Sequence, residues 1–332
     1  MSDSPLDVVG IGNAIVDVLT QADEAFLVTH DLAKGTMTLI DSSRAVDLYA
    51  AMGPGLEVSG GSAANTMAGL ASLGSNGAFI GKVRNDQLGG IFQHDIRAAG
   101  ISFETPIATD GPPTARCLIF VTPDAQRTMN TFLGAAVELG PEDLDKAAIG
   151  RAKVTYMEGY LWDPPNAKAA FQAAARIAHE AGRKVSLTLS DPFCVERHRD
   201  SFLELIGGHV DILFANEAEI CSLFQVEDFD RALQEVRGHC EVAALTRGAK
   251  GSVVLADGEV HVVDAVPIDK VIDTTGAGDL YAAGFLHGYT RGKGLYDCGR
   301  IGALAAAEVL SHYGARPETA LADLVAERMG AG

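Results

Sequence analysis

The chain has no run of about 18 consecutive apolar residues, the least that a membrane-spanning helix needs. Positive charge is scarce as well: 26 Lys and Arg stand against 44 Asp and Glu, a formal net charge of -18. Binding to nucleic acid or to an anionic membrane rests on clustered cations that release counterions, so neither partner is expected. An anionic substrate would have to be held locally, by backbone N–H groups, a metal or one or two arginines. Five cysteines, Cys117, Cys194, Cys221, Cys240 and Cys298, are scattered without a CxxC pair. They read as reduced thiols of a cytoplasmic protein rather than a disulfide framework. None of the nine histidines falls into HExxH spacing, which argues against the usual zinc sites. The opening MSDSPLDVVGIG lacks a basic region leading into an apolar stretch and a cleavage site, again the pattern expected of a cytoplasmic chain. Internal repeats, low-complexity blocks and Pro/Gly/Ser linkers are absent too, so nothing divides the chain.

What is present is globular: 332 residues, 47% hydrophobic and 21% charged, enough for one large α/β domain over 1 to 332 with an added piece. The first half is punctuated by short strand-like runs, LDVVGIG, GTMTLID, GAFIGKV, ARCLIFVT and RTMNTFLG. The second half alternates strand and helix: VTYMEGYL, NAKAAFQAAARIAHEAG, VSLTLS, a helix through HRDSFLELIGG, then DILFAN. VAALTRG, a hairpin GSVVLADGEVHVV turning at Asp257 and Gly258, and two C-terminal helices complete the chain. This grammar predicts a doubly wound, mostly parallel sheet with helices on both faces. Strands near residues 34 to 40 and 105 to 135 are expected to form a small β-sheet lid.

Four residues near the C-terminal end carry the first chemical signal. Gly276-Ala277-Gly278-Asp279 stand between VID, read as a strand end, and LYAAGFLHGY, read as a helix. Ligands of open parallel sheets gather beyond strand ends, where helix N-termini present free N–H groups. Two glycines remove the side chains that would keep a phosphate from the backbone, and the helix dipole adds roughly half a positive charge. Asp279, one step into the helix, could take a proton from an attacking hydroxyl. An acid in a first helical turn is also favoured by the dipole alone. In residues 59 to 74, SGGSAANTMAGLASLG, helical spacing makes Ala64, Met67, Leu70 and Leu73 core. It does not explain Gly60-Gly61 or Asn65, whose amide offers both donor and acceptor to a polyhydroxylated ligand. GIGNAI superficially opens a dinucleotide fingerprint, but Ile15 occupies the third glycine position.

GGSAANTMAGLASLG and DTTGAGDLYAAGFL resemble the two signatures of the ribokinase (PfkB) family of carbohydrate and nucleoside kinases. GNAIVD, residues 12 to 17, is similar to the family's N-terminal strand, whose acid, here Asp17, binds sugar hydroxyls. GKVRNDQLGG, residues 81 to 90, resembles its GxxGxDxxG turn, with Arg84 in place of a glycine. NEAE, residues 216 to 219, matches NxxE, and TRGAKG, residues 246 to 251, matches TxGxxG. The resemblance implies ATP as co-substrate and Mg²⁺ organised through water by Glu219, with Asn216, Thr246, Gly248 and Gly251 on the nucleotide side. Asn13, Asp17, Gly60, Gly61, Ser62 and Asn65 would hold the acceptor, and Gly276, Ala277, Gly278, Asp279 and Arg127 would carry the chemistry. Asp273 and Thr275 are implied in binding a monovalent cation such as K⁺. Two local alternatives stay open: Glu219 as a plain helix cap and Asp17 as a turn residue.

The acceptor is a finer matter. MEGYLWDP (157 to 164), SLTLSDPF (186 to 193) and the lid stretch 113 to 136 are similar to segments of the family's adenosine kinases. There Tyr160, or its neighbour Leu161, and Phe193 would face the base, with Met129 and Leu133 as further apolar contacts. A purine needs an apolar slot with an aromatic face, whereas a free sugar needs polar partners. The expected reaction is transfer of the γ-phosphoryl group to the 5′-hydroxyl of a nucleoside, adenosine first. A sugar kinase of the same family is the nearer rival, favoured by DTTGAGD where adenosine kinases would have DTNGAGD. A catalytically silent nucleotide-binding regulator is the distant one. Monomer and homodimer are both open.

Overall fold

The computed structural model describes residues 5 to 124, 126 to 256 and 258 to 330. Nine strands form the larger sheet, in the order Glu259–Val263, Ser252–Ala256, Val242–Thr246, Ile212–Asn216, Lys184–Thr188, Ala152–Glu158, Leu6–Ile11, Gly77–Ile80 and Ser102–Phe103. The last seven run parallel, and only the hairpin at one edge is antiparallel. Its central strands, such as VAALT and ILFAN, are apolar almost throughout because helices cover both faces. Trp162, Phe171 and Phe202 fill the core on one face; Phe79, Phe92, Phe214 and Phe285 fill the other. The doubly wound, mostly parallel sheet with a smaller second sheet, as expected from the sequence, is the architecture found. The hairpin forms in the expected register, Ala256 opposite Glu259, although Asp257 of its turn lies outside the described residues. All five cysteines are free, and no helix among the described residues is long and apolar enough to cross a membrane.

The strand order changes direction between Leu6–Ile11 and Ala152–Glu158. Such a switch point opens a crevice beyond the strand ends, and here those ends deliver Gly12, Asn13 and Glu158.

After Gly12 the chain leaves the large sheet and enters a second one, ordered Met37–Leu39, Arg127–Phe132, Ala115–Val121, Ile15–Gln21 and Leu56–Gly60. Residues 37 to 39 and 115 to 132 were expected there; Ile15–Gln21 and Leu56–Gly60 were not. Ile15–Gln21 alternates in burial, with Val16 and Val18 packed under Leu27 and Leu48 while Ile15 and Asp17 face the opposite side. Three other expectations need correction. VID is not a strand end: it has no sheet neighbour, and Ile272 N–H instead donates to the Leu310 carbonyl at the C-terminal end of helix Leu295–Val309. Leu161 is fully buried among the aliphatic and aromatic residues around Trp162, so it faces the core and no ligand. The C-terminal helices number three: Ala277–Thr290, Leu295–Val309 and Leu321–Met329.

Helix Ala277–Thr290, which carries Asp279, is pinned by close approach. A Cβ on Gly284 would lie 2.6 Å from the Ile301 carbonyl and 2.7 Å from Gly302 Cα of the neighbouring helix. Gly90, exposed on helix Gln87–Ala98, would meet nothing within 4 Å. Gly284→Ala is therefore expected to destabilise the protein by about 1–3 kcal/mol through overpacking. Gly90→Ala should be neutral or stabilising by up to ~1 kcal/mol through helix propensity. Urea unfolding of the two variants checks the opposite signs.

Candidate active site

Helix Ala277–Thr290 begins at Gly276, whose φ of +81° is left-handed and whose Cβ would sit 2.7 Å from Ala315 Cα. Gly276 is thus demanded by the chain's own packing. Gly278, two residues on, would meet nothing within 4 Å. No side chain caps this helix; Ala277 N–H bonds the Thr274 carbonyl at 3.4 Å, which leaves the Gly278 and Asp279 N–H groups as the free donors of the first turn. An anion is the group such a terminus attracts.

Asp279 is in contact with two other expected residues. Ser62 Oγ donates to its Oδ1 at 2.6 Å, and Asn65 Nδ2 donates to its Oδ2 at 3.1 Å. Ser62 and Asn65, read from sequence as acceptor contacts, therefore hold the carboxylate in place. Burial pushes the Asp279 carboxyl up to about 6, against these two hydrogen bonds. Gly60 and Gly61 also have internal reasons. A Cβ on Gly60 would strike the Asp17 carboxylate at 2.5 Å, and one on Gly61 would strike the Asn13 carbonyl at 2.4 Å, with φ at +99°. The double glycine lets the entry to helix Ser62–Ser72 nest against residues 13 and 17.

Asp17 stands on the second sheet, and its carboxylate has no hydrogen-bond partner among the described residues. Burial raises its carboxyl to about 6, opposed by the charges of Arg127 and Arg316. Arg127 itself is engaged, through Nη1, by the Asp273 carboxylate in a short contact and by Thr275 Oγ1 at 3.2 Å. Asp273 also accepts from Thr275 N–H at 3.0 Å and Gly314 N–H at 3.1 Å. Burial alone would raise Asp273; these donors and Arg127 outweigh it and hold it below the ordinary value. The residue implied in cation binding is thus committed to protein donors.

Asn216 ends strand Ile212–Asn216 and caps helix Glu217–Phe224. Its backbone and side-chain N–H groups reach Glu219 Oε2 and Oε1 at 2.9 and 2.5 Å, and its Oδ1 accepts from Glu219 N–H at 2.9 Å. The helix-cap alternative is therefore realised in full. With both oxygens occupied, Glu219 fits an indirect, water-bridged role toward a metal better than direct ligation. Burial lifts it to about 7, against the Asn216 N–H and with added pressure from Asp191 and Asp279. Thr246 ends its strand; Gly248 is open, and a Cβ on Gly251 would lie 2.1 Å from the Val263 carbonyl.

The base-side residues are less assembled. Tyr160 is partly exposed, and its phenol is kept protonated first by burial, then by Asp191, Asp279, Glu219 and Glu158. It thus looks onto the acid-lined end of the crevice. Phe193 is 60% exposed with the Arg197 guanidinium 4.2 Å above its ring. Among the described residues the two rings make no contact. Met129, half-buried, packs with the buried Ile15, Cys117 and Ile119 on the face of the small sheet that carries Asp17, and Leu133 is half-buried just beyond it.

Sequence reasoning overlooked Glu158. It is 1% exposed at the switch point, where Asn13 Nδ2 donates to Oε1 at 2.6 Å and Ala63 N–H to Oε2 at 2.8 Å. A Cβ on Gly12 would be 2.4 Å from that second oxygen. The available signal was one acid inside an otherwise apolar strand, VTYMEGYL. Arg316 was overlooked as well.

Residues 47–320 match the family described as pfkB family carbohydrate kinase. The chain belongs to that family. PfkB-family membership makes it a phosphotransferase with an alcohol acceptor and ATP as co-substrate. The chain is 53% identical to the crystal structure of adenosine kinase from Sinorhizobium meliloti, with a TM-score of 0.90, covering 99% of this chain and 100% of that one. It is 52% identical to a probable sugar kinase from Rhizobium etli, again at TM-score 0.90, over 98% of this chain and 99% of that one. Adenosine kinase 1 of Arabidopsis thaliana is 26% identical over 95% of this chain and 97% of its own length. This PfkB-family chain is therefore a nucleoside or sugar kinase of adenosine kinase-like build.

Burial holds Glu158 at about 7, opposed by the Ala63 and Asn13 hydrogen bonds and reinforced by the Asp279 charge, against an ordinary 4.5. The folded state keeps a proton there that the unfolded chain loses. The stability this confers is fully present below 4.5 and is lost as pH rises through about 7. Relative to Glu158→Gln, the wild type should lose on the order of 1–3 kcal/mol between pH ~4.5 and ~8. Denaturant titrations of both proteins across that range check the slope.

Proposed function

We propose that the protein transfers the γ-phosphoryl group of ATP to the 5′-hydroxyl of a nucleoside, adenosine first, giving the nucleoside monophosphate and ADP. The observation that carries the chemistry is the pairing of an uncapped helix terminus at Gly278 with a positioned carboxylate one residue away. As the hydroxyl oxygen bonds to the γ-phosphorus, the bond to the β-phosphate oxygen breaks and the proton passes to Asp279. N–H groups of residues 276 to 278 receive the charge on the transferring oxygens. Asp17, with Asn13, Gly60 and Gly61 shaping the floor, takes the sugar hydroxyls. Thr246, Gly248, Gly251 and Asn216 border the nucleotide, and Arg127 shifts from Asp273 toward the phosphates. Bound Mg²⁺ supplies charge neutralisation on the phosphates, and Glu219 would hold its water shell. K⁺ finds less support, since Asp273 is already satisfied by protein donors.

The second sheet acts as the lid: the apolar cluster of Ile15, Cys117, Ile119 and half-buried Met129 on the face that carries Asp17 excludes water that would compete as acceptor. Adenosine is favoured by the likeness to the Sinorhizobium meliloti adenosine kinase and by Phe193, an exposed aromatic face already stacked by a cation, ready for a purine. The sugar reading draws on the equal likeness to the Rhizobium etli protein.

ADP release measured with adenosine, inosine, guanosine, D-ribose and D-fructose separates the two readings; adenosine should give the highest kcat/KM, and a free sugar outrunning every nucleoside would refute the proposal. Asp279→Asn should lower kcat by roughly 10²- to 10⁴-fold while calorimetric ATP binding is kept. The carboxyl of Asp279 lies at about 6 and must be ionised to accept the proton, so kcat/KM should rise with pH through about 6 and then level off. Near-normal turnover by Asp279→Asn would remove it from the mechanism.

A further inference from the structure

Arg316 lies in the loop behind the Gly276 turn. Its neighbours are already tied to that turn: Gly314 N–H donates to Asp273 at 3.1 Å, and Ala315 fills the space beside Gly276. Asp17 and Asp95 are the two acids whose charges the Arg316 guanidinium feels. Its Nε and Nη2 are shut off from solvent and have no hydrogen-bond partner, and the side chain makes no ion pair with any described residue. Asp95 is occupied, accepting from Ser59 N–H at 2.9 Å. The Asp17 carboxylate accepts from no described residue. Ser59 Oγ, next to Gly60, is buried and unpartnered as well.

Two opposite charges are therefore partly desolvated, mutually sensed and unpaired. Leaving either in that state is costly, and a guanidinium that donates only and a carboxylate that accepts only define what would relieve both. An ammonium satisfies Asp17 alone; a phosphate satisfies Arg316 alone. A hydroxyl satisfies both, donating its proton to Asp17 and accepting from Arg316 through its oxygen. Arg127 also faces Asp17 but is held by Asp273 and Thr275, and Cys117, opposite Asp17 in the neighbouring strand, is a protonated thiol pushed up to about 12 by burial.

We propose that Arg316 is a specificity-determining residue that, together with Asp17, grips the ring hydroxyls of the acceptor. The inference rests on the reading that Asp17 faces the acceptor, but not on the acceptor's being adenosine. Arg316→Met keeps the length and removes the donors. With adenosine and saturating MgATP, its KM for the acceptor should rise roughly 10- to 100-fold, the loss expected for a charge-assisted hydrogen bond. The KM for ATP should stay within about twofold, and Arg316→Lys should fall between the two. The wild-type preference for adenosine over 2′-deoxyadenosine and 3′-deoxyadenosine should shrink in Arg316→Met, because the missing hydroxyl no longer strands a donor. Since the guanidinium is unpaired without ligand, thermal unfolding of the ligand-free variant should not fall below wild type. An unchanged acceptor KM, an equal rise in the KM for ATP, or undiminished discrimination against both deoxynucleosides would overturn the proposal. Should Arg316→Met fail to fold, Arg316→Lys is scored by the same KM split. If D-ribose is phosphorylated and adenosine is not, the nucleoside reading falls while Arg316 is scored on ribose against 2-deoxyribose. If the wild type phosphorylates neither, both fall.

Discussion

The Glu158 carboxylate sits at the one place where the large sheet reverses its order, and it binds two segments that sequence keeps far apart. One oxygen takes the Asn13 amide from the joint between the sheets, the other the Ala63 N–H at the start of helix Ser62–Ser72. A helix terminus is a favourable place for an acid, which offsets part of the desolvation. Through these bonds the position of Glu158 fixes where Ser62 and Asn65 stand, and they in turn hold Asp279. The proposed base is therefore oriented by a chain of contacts that begins on the opposite strand. Gly12, with no room for a side chain beside Glu158, closes the same knot from below.

Around that knot the crevice collects acids: Glu158, Asp279, Glu219 and Asp17, all raised by burial above their ordinary values. A cleft that must receive ATP is an odd place for so much potential negative charge, and the chain as a whole is acidic. The resolution lies in local geometry. The proposed phosphate seat is backbone, at a helix terminus without a side-chain cap, while the carboxylates are mostly saturated by donors or held in position. Long-range attraction is given up in favour of short-range fit.

Much of this could be read in the sequence wherever a residue's reason was local. Asn216 to Glu219 is a cap whose partners lie within three residues, so spacing alone announced it, and Gly276 to Asp279 announced a helix start, though the residues that hold it, Ala315, Ser62 and Asn65, lie far off in sequence. Burial runs such as VAALT and ILFAN announced the parallel sheet. What stayed hidden depended on distant pieces of chain. Glu158 acquires meaning only when residues 13 and 63 arrive beside it, and Arg316 only when the loop behind Gly276 faces the second sheet. Ile15–Gln21 has an ordinary alternating pattern; that it abandons the first sheet after Gly12 is settled by sterics that no local pattern carries. VID was misjudged because an apolar pair before a glycine turn suits a strand, yet no neighbouring strand is there to bond it. Leu161 was misjudged because the chain leaves its strand at Glu158 and enters the tight helical turn Gly159–Trp162, which directs Leu161 with Trp162 into the core.

The two glycines of the Gly276 turn serve unlike purposes, one clearing Ala315 and the other clearing open space. Mutation tests them in different ways. A side chain at the first collides with the body of the protein and is removed with the misfolded chains; a side chain at the second leaves a sound fold with an obstructed seat. A duplicate copy of this chain freed from its reaction would thus shed Gly278 early and keep Gly276 for as long as it still folded, so the order of loss would record when catalysis, rather than structure, ceased to matter.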